Sequence, residues 1–95
     1  MGYETLLEYT ERYENGHIES VTVRKTDAAA YPCGYDYSFH YGTTNGETIL
    51  RYDNAHEQAK GHERHTSDGV ERIDFPGIRA LYDRFRREIK HEVDR

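Results

Sequence analysis

Hydrophobic and polar positions alternate most cleanly in the middle of the chain. Tyr35, Tyr37, Phe39 and Tyr41 fall on every second position, with Asp36, Ser38 and His40 between them. A period of two belongs to a strand, whose successive side chains point to opposite faces. This segment therefore predicts a strand with one aromatic and one polar face. Upstream, the Leu- and Tyr-rich run Thr5 to Glu14 ends at Asn15-Gly16, a pair suited to the positive φ angles of a tight hairpin turn. Ile18 opens the next run, His17 to Thr26, in which Val21 and Val23 share one face, so the two runs predict an antiparallel hairpin.

Residues 27–34 read as a loop around Pro32, and Gly42 to Gly46 as a turn. Thr48 to Asp53 predicts a further strand, with Ile49, Arg51 and Asp53 on one face and Leu50 and Tyr52 on the other. Asn54 to Gly69 has no periodicity and reads as a loop, and Val70 to Phe75 as a short strand. Pro76 stands where a helix can begin, because its missing N–H has no helical partner there. Ile78, Leu81, Tyr82, Phe85, Ile89 and Val93 then form one apolar stripe of a helix, opposite a charged face carrying Arg79, Asp83, Arg86, Arg87 and Lys90.

Together these elements predict an α+β fold over residues 1–95 as a single domain: an antiparallel sheet of four or five strands packed against one C-terminal helix. One helix covers one face of a sheet. If it packs away from Tyr35, Tyr37, Phe39 and Tyr41, that aromatic face is left for a partner or for a second copy, as in a homodimer.

Composition sharpens this picture. Hydrophobic residues make up 35% of the 95 positions, and nine of them are tyrosines, so the aliphatic core is thin. Residues 1–48 carry three basic and eight acidic side chains, whereas residues 49–95 carry ten of each. Bulk positive charge cannot drive nucleic-acid binding here, but a local basic site in the second half can. Cys33 is the sole cysteine, which excludes an internal disulfide and a Cys-rich zinc site. There is no 18-residue apolar run and no charged-then-apolar amino terminus, so the expectation is a cytoplasmic protein with no membrane partner.

Chemistry concentrates between Arg51 and His65. Three of the six histidines, His56, His62 and His65, fall in this window beside Asp53, Arg51, Lys60 and Arg64. Cleavage of an RNA phosphodiester takes a proton from the 2′-hydroxyl, gives one to the 5′-oxygen and builds charge on the phosphoryl oxygens. Two imidazoles and one or two cations meet those needs with no cofactor and no metal. On this reading Asp53, His56, His62 and His65 are the catalytic candidates, with Asp53 fixing a histidine tautomer. Arg51, Tyr52, Lys60 and Arg64 are the candidates for substrate binding, by phosphate contact or base stacking. His40, on the polar side of the aromatic strand, reaches this window only if its strand lies beside Thr48–Asp53; otherwise it is an ordinary surface histidine. A His-based metal site competes, with His56 and Asp53 joining His62 and His65 on one side of a helical turn. So does a solvated loop in which Asp53-Asn54 merely ends a strand.

The run Ile49-Leu50-Arg51-Tyr52-Asp53-Asn54-Ala55-His56, followed by His62-Glu63-Arg64-His65, Phe75-Pro76 and a final helix, resembles the TumE family. Members of that family are the toxin components of type II toxin–antitoxin systems. The resemblance implies growth inhibition and a cognate antitoxin partner, possibly of helix-turn-helix type. It puts Arg51, Tyr52, Asp53, Asn54, His56, His62, Arg64 and His65 at stake. Combined with the residue chemistry, the expectation is a toxin acting on RNA as a small metal-independent ribonuclease. The alternatives are a non-catalytic RNA- or protein-binding module using the same loop, and a metal-binding domain.

Overall fold

A computed structural model describes residues 2–93. The strands follow one another as β1 (Tyr3–Arg12), β2 (His17–Thr26), β3 (Tyr35–Thr43), β4 (Thr48–Asp53), β5 (His62–Thr66) and β6 (Gly69–Ile73). A short helix, α1 (Glu57–Lys60), precedes β5, and the long helix α2 (Ile78–Val93) ends the described chain. All strands are antiparallel and lie in the sheet in sequence order, so each pairs with its neighbours along the chain and no crossover is needed.

The Asn15-Gly16 turn joins β1 to β2 as its residue types require. Gly16 has φ 86°, and its amide donates to the Tyr13 carbonyl at 3.0 Å. At the next turn Gly42 is required sterically, because a Cβ there would collide with the Glu47 carbonyl oxygen. The α+β class and the C-terminal helix agree with the sequence reading, but the sheet has six strands rather than four or five. The extra strand is β5, drawn from the stretch that lacks periodicity. Both of its faces carry polar side chains, so no alternation of hydrophobicity marks it.

Helix α2 packs on the face that holds Val21, Tyr37, Phe39, Leu50 and Tyr52, placing Leu81, Phe85 and Ile89 against them. Phe85 meets Phe39 and Tyr52 at ring-centroid distances of 5.4 and 6.2 Å, the second edge-on, a geometry that aromatic quadrupoles favour. Tyr37, Phe39 and Tyr41 are all buried. This overturns the expectation that the Tyr35, Tyr37, Phe39 and Tyr41 face is left free: α2 covers Phe39, His62 and Phe75 pack on Tyr37, and Tyr13 and His17 pack on Tyr41. The physical reason is that these aromatics are the largest apolar surface on the sheet, and the single apolar stripe of α2 matches them. Val93 ends α2, but its side chain lies outside the described set, so the stripe is followed here only as far as Ile89.

Two polar anchors hold the helix down. Glu19 in β2 is fully buried, and its carboxylate accepts from Tyr9, from Tyr13 at 2.5 Å and from Arg86 of α2. On the other side of the helix Glu88 accepts from Tyr52 and Arg64, and Arg64 also donates to Tyr52 Oη at 3.1 Å and to Glu71 Oε1 at 3.2 Å. A buried carboxylate is tolerated only when paired in this way.

Candidate functional site

With α2 on one face, the other face of the sheet carries alternating polar positions. Strand register places His40 of β3 opposite Arg51 of β4, and Arg51 opposite His65 of β5. A second row runs Ser38, Asp53, Glu63, Arg72 across β3 to β6. The two rows are adjacent because Arg51 and Asp53, like Glu63 and His65, are two residues apart on one strand. At a strand spacing of about 4.8 Å, the backbones of His40 and His65 stand about 10 Å apart, with Arg51 midway.

Side chains bind the two rows together. Arg51 Nε lies 2.8 Å from Asp53 Oδ2 in an ion pair. His65 Nε2 stands 3.5 Å from the same Asp53 oxygen and 3.4 Å from Glu63 Oε1. It is enclosed, yet completes a hydrogen bond with neither carboxylate. Asp53 is almost wholly buried, whereas Arg51 keeps 42% of its side-chain area exposed, so the carboxylate orients and the guanidinium is the reachable group. His40 Nε2 meets Thr48 Oγ1 at 3.0 Å. Burial, with the nearby Arg51 charge adding to it, holds the His40 pKa below the ordinary imidazole value, so the neutral ring prevails near pH 7.

Not every residue of the predicted window joins this face. Three positions along one strand reverse the side, so His62 points to the helix side while His65 does not. His62 packs in a three-ring cluster with Phe75, at a centroid distance of 4.5 Å, and Tyr37, at 5.7 Å, which are 6.0 Å from each other. Both ring nitrogens are engaged, Nδ1 with Tyr37 Oη at 2.8 Å and Nε2 with Glu57 Oε1 at 2.9 Å. It ties α1 to the sheet. Asn54 does related work: buried, it accepts from the Tyr37 amide at 3.0 Å and donates to the Tyr35 carbonyl at 2.6 Å and to Glu57 Oε2 at 3.2 Å.

Tyr52 and Arg64 also lie on the helix side, committed to Glu88. Burial and the Glu88 carboxylate push the Tyr52 hydroxyl up to about 12. For Glu88, burial alone would raise the carboxyl, but hydrogen bonds from Arg64 and Tyr52 outweigh it and the net shift is downward. A cavity of about 350 Å³ lies on this side, lined in part by Leu50, Arg64 and Glu88, and the histidines of the open face do not line it. His56 precedes α1 and Lys60 ends it, both exposed; His56 caps it in a left-handed conformation at φ 63°.

Of the predicted candidates, then, Arg51, Asp53 and His65 converge, while His56, His62, Tyr52, Lys60 and Arg64 do not join them. The expected helical turn bearing His62 and His65 is a strand, which separates them. Sequence reasoning gave too little weight to His40, Glu63 and Arg72. The signal for His40 was the same alternation that marked the aromatic strand: it sits on the polar side, and register does the rest.

What results is a small sheet protein whose long helix α2 packs on the aromatic side and leaves a polar side bearing a His–Arg–His row. A family model described as "Toxin TumE" matches residues 3–93, and the chain belongs to the TumE toxin family. No curated protein and no solved structure gives a match. Membership carries a toxin role in a toxin–antitoxin system and with it an antitoxin partner. Among the described residues no helix is long and apolar enough to cross a membrane.

Proposed function

We propose that this toxin acts on RNA, and that its open sheet face is a ribonuclease site in which His40 and His65 flank Arg51. The observation that carries this reading is the register itself: two imidazoles on either side of an arginine, in one row, on the face the helix does not cover. A phosphodiester lying over Arg51 would have one histidine toward each bridging oxygen. The guanidinium then balances charge that builds on the phosphoryl oxygens.

The two histidines differ in surroundings, which supports giving them different roles. His40, kept neutral by burial and by Arg51, takes the proton from the 2′-hydroxyl. Two carboxylates, Asp53 and Glu63, stand beside His65, and His65 is the group that gives a proton to the departing 5′-oxygen. The products are a 2′,3′-cyclic phosphate and a free 5′-hydroxyl. The face also carries acids, so its charge is local, and substrate is gripped at one phosphate rather than along a basic groove.

The experiment is cleavage of a labelled single-stranded RNA by purified toxin in EDTA, with analysis of the product ends. The expected result is cyclic phosphate ends made by the wild type and lost in His40→Ala and His65→Ala. RNA bound but uncut would move the reading to a non-catalytic binding module on the same face.

A further inference from the structure

Two groups of metal-capable side chains occur among the described residues: Asp53, Glu63 and His65 on the open face, and Cys33, Glu57 and His62 beside α1. Their states differ. In the second group His62 Nε2 is hydrogen-bonded to Glu57 at 2.9 Å, and burial, with the Glu57 carboxylate adding to it, pushes the Cys33 thiol up to about 11. A thiol held protonated beside a satisfied imidazole is a packing arrangement and not a ligand set.

In the first group the imidazole is unsatisfied, whereas Asp53 Oδ2 is paired with Arg51. His65 Nε2 is enclosed and has no hydrogen-bond partner, although two carboxylate oxygens face it at 3.4 and 3.5 Å. Those separations are long for a charge-assisted hydrogen bond, which draws its atoms to about 2.7–2.9 Å. They suit ligand atoms sharing one ion instead: bonds of about 2.0–2.2 Å at tetrahedral angles hold ligand atoms about 3.3–3.6 Å apart. The donors also come from two paired strands of a rigid sheet, Asp53 of β4 opposite Glu63 of β5, with His65 on the same face of β5. The Arg51 ion pair at 2.8 Å steadies Asp53 from outside the triad.

We propose that Asp53, Glu63 and His65 form a site for a divalent transition metal of the zinc class, and that its occupation switches the toxin off. Three protein ligands leave a fourth position for water. The switching half rests on the ribonuclease reading; the binding half does not. An imidazole bound to the ion through Nε2 is held as a ligand and is withdrawn from the reaction on the open face. Zinc therefore inhibits by removing the acid, not by unfolding the protein. Arginine next to the site opposes a cation, so the site fills and empties with metal supply rather than holding the ion permanently.

Cobalt(II) added to the metal-free, purified chain tests binding without reference to activity. The expected result is one equivalent bound, with the intense visible absorption of a tetrahedral ion, and affinity reduced at least about tenfold in His65→Ala and in Glu63→Gln. Cys33→Ser should leave binding unchanged. Glu63 is on the open face and outside the core, so Glu63→Gln keeps the test sound if His65→Ala folds poorly. No binding, or binding lost in Cys33→Ser and retained in Glu63→Gln, would overturn the site. Zinc titrated into the RNA assay then tests the switch. Loss of wild-type cleavage, restored by EDTA, is expected, and undiminished cleavage by a zinc-loaded toxin would overturn it. If metal binds as described while no RNA is cut under any condition, the site stands and the ribonuclease reading fails.

Discussion

His62 and His65, three positions apart on β5, face opposite sides of the sheet: one is buried against Tyr37 and Phe75, the other stands beside Asp53 on the open face. The two positions should therefore fail in different ways. His62→Ala removes two hydrogen bonds and both ring contacts from a buried position, and is expected to lower stability by about 2–4 kcal/mol. His65→Ala is expected to cost about 1 kcal/mol or less while removing activity. Urea unfolding beside an RNA-cleavage or growth assay separates the two, and equal loss of stability would contradict the assignment.

The row across β3, β4 and β5 makes His40 as necessary as His65. His40→Ala should slow RNA cleavage by about 10²–10⁴, the usual cost of one acid–base group. Arg51→Lys keeps the charge but loses the two-pronged grip on phosphate, and should be strongly impaired as well. Cleavage at the wild-type rate in both variants would rule out this row as the site.

The acidic limb of kcat/KM should report His40. Its folded pKa lies below the ordinary 6.5, through burial first and Arg51 second, so activity should rise with pH with its midpoint below that value. Arg51→Gln removes the second cause and should move the limb upward. The same shift links to stability with a definite sign. The unfolded chain binds the proton more readily, so the His40 contribution is complete above pH 6.5 and is lost as pH falls through the lower folded pKa. A limb that stays put in Arg51→Gln would remove the arginine from the cause.

Glu19 and Arg86 form an unequal pair, the carboxylate fully buried and the guanidinium 43% exposed. Arg86→Met strands a buried charge and should cost about 3–5 kcal/mol. Glu19→Gln leaves an arginine that can turn to water, and should cost only about 1–2 kcal/mol. Chemical denaturation of the two variants checks the order; the reverse order would mean that Arg86 is not the main counter-charge.

The parts of the fold visible in the sequence were those where one physical signal dominated. Asn15-Gly16 marked the first hairpin through its turn chemistry, the aromatic alternation marked β3, and the spacing from Ile78 to Ile89 marked α2. Strand β5 was invisible because His62 and Arg64 take core-side positions where apolar residues are expected, satisfied there by Glu57 and Glu88. Once β5 was read as a loop, its side chains had no assigned faces, and His62 and His65 looked like neighbours. Register between strands is a long-range property, so the meeting of His40 with Arg51 could be posed as a condition but not settled. The covering of the tyrosines was a choice between two faces, and helix periodicity alone does not say which face the stripe will meet.

Because the strands follow one another in space as they do in sequence, the sheet can assemble hairpin by hairpin as the chain leaves the ribosome, whereas α2 emerges only after all six strands. Until then Phe39 and Tyr52 have no cover, although every residue of the His–Arg–His row has already been translated. The nascent toxin thus passes through a stage at which its aromatic side is bare, and the docking of Leu81, Phe85 and Ile89 ends it.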